Sequence, residues 1–347
     1  MRCLALAEEL IGRGVEVSLI ADLVGIPWLA EQVRRRGVAI CAPDPKNGVG
    51  SRLGLVRALA PDVVVVDSYR LPGSFYDTVY AAGATAGWRV LALIDGDPGD
   101  RVADLYLDQN IGAESDDWPL PETARRLAGL DYALLRSDVL AHRPTAPPSV
   151  ADEDGRAPRV LAFFGGTDPY AVAPRAVRLL VSTGVPWTAT VVAATPALRA
   201  ELTVIAPGPG QVLDVIDPTD DLAAMVTEAD VVLSAAGTSS WELLCLGAAT
   251  AFVCVADNQE TGYDRIVEQG LGVGVGRASD LASDLAGDRA PTDSARHALT
   301  QLLTDPGKRD ALRRAGWSRV DGGGRARVAD ALLSSALSSA RSAGVPG

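Results

Sequence analysis

The sequence predicts an α/β protein with two Rossmann-like domains facing a cleft, and three observations carry that reading. Apolar runs rich in Val, Leu, Ala or Phe alternate with stretches of helical spacing in both halves of the chain. A proline-rich segment, 143–158, with the acidic run Asp152-Glu153-Asp154, separates the halves as a linker. In the second half, polar turns of small residues follow apolar runs, at Phe164-Gly165-Gly166-Thr167-Asp168-Pro169, Ala236-Gly237-Thr238-Ser239-Ser240-Trp241-Glu242 and Asp257-Asn258-Gln259. Turns of that kind belong at the carboxyl ends of parallel strands, where open sheets bind ligands.

The expected first domain covers 1–142. Helical spacing over 3–14 precedes a strand at 15–20 and a helix at 28–36. Pro61-Asp62-Val63-Val64-Val65-Val66-Asp67 reads as a strand buried on both faces, because its apolar run is continuous rather than alternating. Residues 89–95 and 103–108 give further strands. This domain opens on a helix with no strand before it. The expected second domain, 159–323, repeats the alternation with strands at 159–165, 187–194, 230–236 and 251–256 and a helix at 170–183. Residues 324–347 are expected to form a helix and tail that pack back across the domains.

Composition excludes several classes of function. With 32 basic against 44 acidic residues the net charge is −12, which argues against a broad nucleic-acid or anionic-membrane surface. No apolar stretch approaches the ~20 residues of a membrane span. Glu8 and Glu9 interrupt the first turns where a signal peptide needs an apolar core. A cytoplasmic protein without a stable membrane anchor is expected. Cys3, Cys41, Cys245 and Cys254 form no CxxC pair and read as reduced thiols. The two histidines, His142 and His297, cannot build a three-His metal site or an evident hydrolytic triad, and no cofactor is expected.

Each candidate site residue carries a functional and a plain structural reading. Gly165 and Gly166 let a phosphate approach the backbone and Thr167 adds a hydroxyl. Alternatively this is a tight turn, with Pro169 at the first position of a helix. Gly237, Thr238 and Ser239 suit a phosphate at a helix N-terminus, and Glu242 suits ribose hydroxyls. Ser239 with Glu242 also fits a capping box. Asn258 and Gln259 offer amides to a sugar, or cap the next helix. Tyr69, ending the most apolar strand, either reaches a substrate or packs. Asp95-Gly96-Asp97 resembles a metal-binding DxD, but turn chemistry is the favoured account.

Taken in order, Met1-Arg2-Cys3-Leu4-Ala5-Leu6-Ala7, Val66-Asp67-Ser68-Tyr69, Asp108-Gln109-Asn110, Tyr132-Ala133-Leu134-Leu135-Arg136 and the three turns resemble the UDP-sugar hydrolases of pseudaminic acid synthesis and related spore-coat polysaccharide proteins. The resemblance implies a GT-B fold, like that of the lipid-II-forming glycosyltransferase, with UDP held mainly by the second domain. It implies inverting attack of water at the anomeric carbon, releasing UDP and a free diacetamido-trideoxyhexose. A glycosyltransferase of the same architecture and a UDP-sugar-binding protein without turnover are the alternatives. It assigns catalytic positions to Tyr69 and Asn258. Substrate contacts fall to Arg2, Gly165, Gly166, Thr167, Gly237, Thr238, Ser239, Glu242, Asn258 and Gln259. The family's Gly-x-Gly-His-x-x-Arg motif aligns its arginine with Arg2, so its histidine, the expected base, and the first strand of the first domain are absent from this chain. A misplaced start is the favoured account, a truncated member the other.

Overall fold

The computed structural model describes residues 1–24, 26–149, 155–283 and 291–343. The acidic run of the expected linker, Asp152-Glu153-Asp154, and residues 344–347 of the expected tail lie outside them. In chain order the elements are α1 (Arg2–Gly12), β1 (Ser18–Ile20), α2 (Pro27–Arg35), β2 (Ala39–Cys41), α3 (Gly48–Leu59), β3 (Val63–Val66), α4 (Gly73–Ala86), β4 (Arg89–Leu93), β5 (Leu105–Asp108), β6 (Arg125–Ala128) and α5 (Ser137–Ala141). There follow β7 (Arg159–Phe163), α6 (Val172–Ser182), β8 (Trp187–Val192), α7 (Pro196–Thr203), β9 (Gln211–Ile216), α8 (Leu222–Glu228), β10 (Val231–Ala235), α9 (Ser239–Leu246), β11 (Thr250–Cys254), α10 (Glu260–Glu268) and β12 (Val273–Arg277). Helices α11 (Asp280–Ser283), α12 (Pro291–Thr304), α13 (Pro306–Arg319) and α14 (Gly324–Ala343) complete the chain.

Two compact units emerge, Met1–Ser137 with Gly322–Gly347, and Asp138–Asp321. In the first, all strand pairing is parallel, but the strands form two sheets, β1-β2 and β3-β4-β5-β6. Among the described residues no strand joins β1 to β3. Strand alternation divides the core of the larger sheet. Leu91 and Leu93 pack with Ala5 and Leu6 of α1 and Val328, Ala329 and Leu332 of α14 on one face. Val90 and Ala92 pack with Val56 of α3 and Phe75, Tyr76 and Val79 of α4 on the other. Through Leu4 and Ala7, α1 also packs on Val33 and Val38 and on the partly buried Leu19 and Ile40, so one helix covers both sheets.

The second unit is a single six-stranded parallel sheet in the order β12-β11-β10-β7-β8-β9. Chain order runs outward from β7 to β9, then restarts at β10 on the other side of β7. The reversal makes the β7–β10 junction the topological switch point of a doubly wound sheet. On one face Val160 and Ala162 of β7 are buried with Val172, Ala176 and Leu180 of α6 and Leu299, Leu302 and Leu303 of α12.

Candidate functional site

At the carboxyl edge of the second unit, the two glycine turns follow β7 and β10, which are hydrogen-bonded neighbours with Phe163 opposite Ser234. They therefore flank the switch point, which the sequence alone did not reveal. Gly165, Gly166 and Thr167 are exposed, and Gly165 holds φ +77°, a conformation open to glycine without strain. The expected helix start at Pro169 is corrected. Asp168 takes a left-handed φ of 39°, and its carboxylate accepts from the N–H groups of Val172 and Ala173 at 2.9 Å each, so α6 starts at Val172. This buried carboxylate is committed to capping, which leaves the glycines and Thr167 as the part of the turn open to a ligand.

Helix α9 begins at Ser239, one residue earlier than a cap at that position requires. Thr238 precedes it in right-handed helical backbone, and no side chain caps the helix. The capping-box reading of Ser239 and Glu242 is thereby corrected: a capping serine must lie outside the helix in extended backbone. Glu242 stays in the first turn, partly buried. Beneath that turn the hydroxyl of the fully buried Ser240 has no hydrogen-bond partner.

Gln259 anchors the adjoining loop. Its Oε1 accepts from Val255 N–H at 3.1 Å, and a Cβ placed on Gly237 would stand 3.2 Å from its Nε2. Glycine at 237 thus admits the amide, and Gly237 and Gln259 are brought together. The exposed Asn258 lies beside Gln259 in a single 3₁₀ turn, and α10 has no side-chain cap either. Next to this loop a cavity of about 300 Å³ is lined by Tyr170, Arg175, Cys254, Asp257, Glu260 and Arg277, among others. None of the residues expected to bind the nucleotide lines it.

The first unit assembles a different cluster at its carboxyl edge. Asp67 follows β3, Asp95 follows β4 and Asp108 ends β5. Arg2, in the first turn of α1, bridges the first two: its Nη2 lies 2.8 Å from Asp67 and its Nη1 2.8 Å from Asp95, with its side chain 10% exposed. Burial opposes the charge on Arg2, but the hydrogen bonds to Asp67 and Asp95 outweigh it and raise its pKa. Asp95 is itself largely desolvated, which favours the neutral acid, yet the Arg2, Tyr69 and Asn110 hydrogen bonds hold its pKa below the usual value. Tyr69 donates its hydroxyl proton to Asp95, and Asn110 donates to both Asp95 and Asp108 at 2.8 Å. Loss of water around the Tyr69 hydroxyl, with the Asp95 charge, pushes its pKa up to about 12, so it is a neutral donor. The residue as a whole remains 72% exposed. Burial raises Asp108, only partly offset by the N–H groups of Gly96 and Asn110.

Arg2 and Tyr69 are therefore brought together, around Asp95. The Asp95-Gly96-Asp97 segment does form a turn: Gly96 has φ +84° and Asp97 accepts from Gly99 N–H at 2.8 Å. Turn chemistry alone did not reveal that Asp95 organises the cluster, or that Asp108 and Asn110 join it. The available signal was that Asp67, Asp95 and Asp108 each close an apolar run and so share one edge of the sheet.

No family model matches the chain, and no curated protein matches it in sequence. Solved structures do resemble it. MurG of Acinetobacter baumannii aligns with TM-score 0.62 at 17% identity, over 96% of this chain and 95% of that one. A putative UDP-N-acetylglucosamine 2-epimerase from Listeria monocytogenes gives 0.58 at 16% identity, over 96% and 94%. The spinosyn rhamnosyltransferase SpnG complexed with thymidine diphosphate gives 0.59 at 15%, over 92% and 91%. At these identities the likeness concerns fold alone: an α/β chain with two Rossmann-like domains, of the GT-B type.

Proposed function

We propose that this protein is a nucleotide-sugar-dependent enzyme of the glycosyltransferase type, with the donor's nucleoside diphosphate bound by the second unit. One observation carries the reading. The two glycine turns flank the β7–β10 switch point, and one leads into a helix whose N-terminus no side chain caps. In this reading the diphosphate sits against Gly165–Thr167 and the first turn of α9, Glu242 accepts from the ribose hydroxyls, and Asn258 and Gln259 face the sugar. The solved SpnG complex, which holds thymidine diphosphate, supports a nucleoside diphosphate as ligand. UDP is the preferred form, because the motifs from Met1 to Gln259 resemble UDP-sugar enzymes.

In the transfer step the bond from the anomeric carbon to the diphosphate breaks and its electron pair leaves on the phosphate oxygen. The acceptor oxygen bonds to that carbon, and the acceptor's proton passes to water. Fixed N–H dipoles stabilise the departing diphosphate without a strong acid. Asp95, held ionised by Arg2, is a weak base, and its role in this reading is to orient Tyr69. His142 is bonded to the Asp138 carbonyl, and His297 stands beside Gln301 on α12.

Hydrolysis, with water as the acceptor, is the second reading, favoured by the order of the motifs. Calorimetric titration with UDP tests the shared site, and absence of binding overturns both readings. Product analysis with UDP-sugars separates them: glycoside formation supports transfer, free sugar alone supports hydrolysis.

A further inference from the structure

The cavity of about 300 Å³ in the second unit stands at the low end of small-molecule pockets, which run from about 300 to 1,000 Å³. It lies at the carboxyl ends of β11 and β12, whose last residues, Cys254 and Arg277, both line it. Backbone and side-chain hydrogen bonds fix its walls. Ala278 N–H donates to the Cys254 carbonyl at 2.9 Å, and Arg175, in the first turn of α6, donates from Nη1 to the Ala278 carbonyl at 3.2 Å. The buried Cys254 thiol donates to the Ala256 carbonyl at 3.6 Å. Burial pushes the thiol's pKa up, so it is a neutral wall and not a nucleophile. Val255, Ala256 and Ala278 add apolar surface.

The charges in the lining narrow the ligand. Arg277 pairs with Glu260, so those two cancel. Arg175 and Asp257 line the same cavity, yet they pair neither with each other nor, among the described residues, with any other charged side chain. A guanidinium has five N–H donors, so Arg175 keeps several beyond the one on Ala278. The cavity thus offers one cation, one anion and an apolar wall. A ligand of single charge is attracted by one of these groups and repelled by the other. A molecule that carries both charges gains from both.

We propose that this cavity is a binding site for a small zwitterion of the α-amino-acid type with an apolar side chain. Its carboxylate accepts from Arg175, its ammonium donates to Asp257, and its side chain lies against Val255, Ala256 and Ala278. None of the residues assigned to the nucleotide lines the cavity, so the proposal stands apart from the UDP reading.

Phenylalanine, hydrocinnamate and phenethylamine share one apolar body and differ in charge, and their binding to the full chain is read by ligand-observed NMR. Phenylalanine should bind best. Phenethylamine lacks the carboxylate for the partly buried Arg175 and should bind about tenfold more weakly. Hydrocinnamate lacks only the ammonium for the exposed Asp257 and should bind about threefold more weakly. Arg175→Gln should remove the preference for phenylalanine over phenethylamine. Asp257→Asn, at an exposed position that carries no packing, should remove the preference over hydrocinnamate with the thermal melt retained. This second variant keeps the test sharp if the first loses stability. Equal binding of the three probes, no binding of phenylalanine, or an unchanged preference in a folded variant overturns the proposal.

Discussion

Glu242 stands in the first turn of α9, where a carboxylate either caps the helix or faces a ligand. Because Ser239 is already helical, the reciprocal capping geometry is not available to the pair. Glu242→Gln should therefore weaken UDP binding by about 1.5–3 kcal/mol, the value of charged hydrogen bonds to ribose hydroxyls. Paired titrations and melts check this, and a loss of stability with UDP affinity intact would return Glu242 to a structural role. Arg2 is the opposite case. Arg2→Met leaves Asp67 and Asp95 facing each other with little solvent, which should cost the first unit about 3 kcal/mol at neutral pH, the low end for a buried pair. The sign with pH follows from Asp95. A carboxylate whose folded pKa is lowered adds stability above its unfolded pKa of about 3.9, and that stability is lost as pH falls through the folded value. The gap between wild type and Arg2→Met should thus narrow below about pH 4, measured by urea unfolding. A gap independent of pH would show that packing, not charge, governs Arg2. At this scale residue types were readable in the sequence. Partners were not, since Arg2 and Asp95 lie far apart along the chain.

Helix α14 holds the first unit together through a close approach. A Cβ on Gly324 would fall on the backbone of Tyr132 and Ala133, which cannot move aside as a flexible side chain can. Gly324→Ala should destabilise the first unit by about 1–3 kcal/mol, measured by chemical denaturation, with no change in UDP affinity. An unchanged midpoint would mean that the junction relaxes freely. Elements with strong periodicity or long apolar runs were legible: β3, β4, β7, β8 and β10 fall inside their expected ranges, and β11 starts one residue before its own. Those not foreseen have weak signals. Strand β12 alternates valine with glycine, β9 carries Gln211 and Asp214 among its apolar residues, and α3 and α4 are rich in Gly, Ala and Ser. Small residues blur the distinction between helix, strand and turn because they bury little surface either way. The turns at the strand ends were visible. The strand order that sets two of them side by side was not, because it is a property of the assembled sheet.

The two units have separate cores, one around β7–β12 and the others around α1, α4 and β4. Calorimetry should accordingly resolve two transitions, and UDP should raise only the one that belongs to the second unit. At a hundred times the dissociation constant the gain is about 2.7 kcal/mol. A uniform rise of both transitions would contradict binding by the second unit alone. Among the described residues no helix is long and apolar enough to cross a membrane.

Strand β3 has a colloidal consequence. Among the described residues its four valines pair only with β4, and three of them are only partly buried. Since the Asp62 carbonyl receives Arg89 N–H, alternate residues point the other way, and Val63 and Val65 present N–H groups to an unpaired edge. Such an edge is a template for a second copy. Mutual repulsion at a net charge of −12 holds copies apart, and salt weakens that repulsion as the Debye length shrinks from about 10 Å at 0.1 M to about 3 Å at 1 M. Light scattering at fixed protein concentration should therefore climb with salt, and Val65→Lys should flatten the climb.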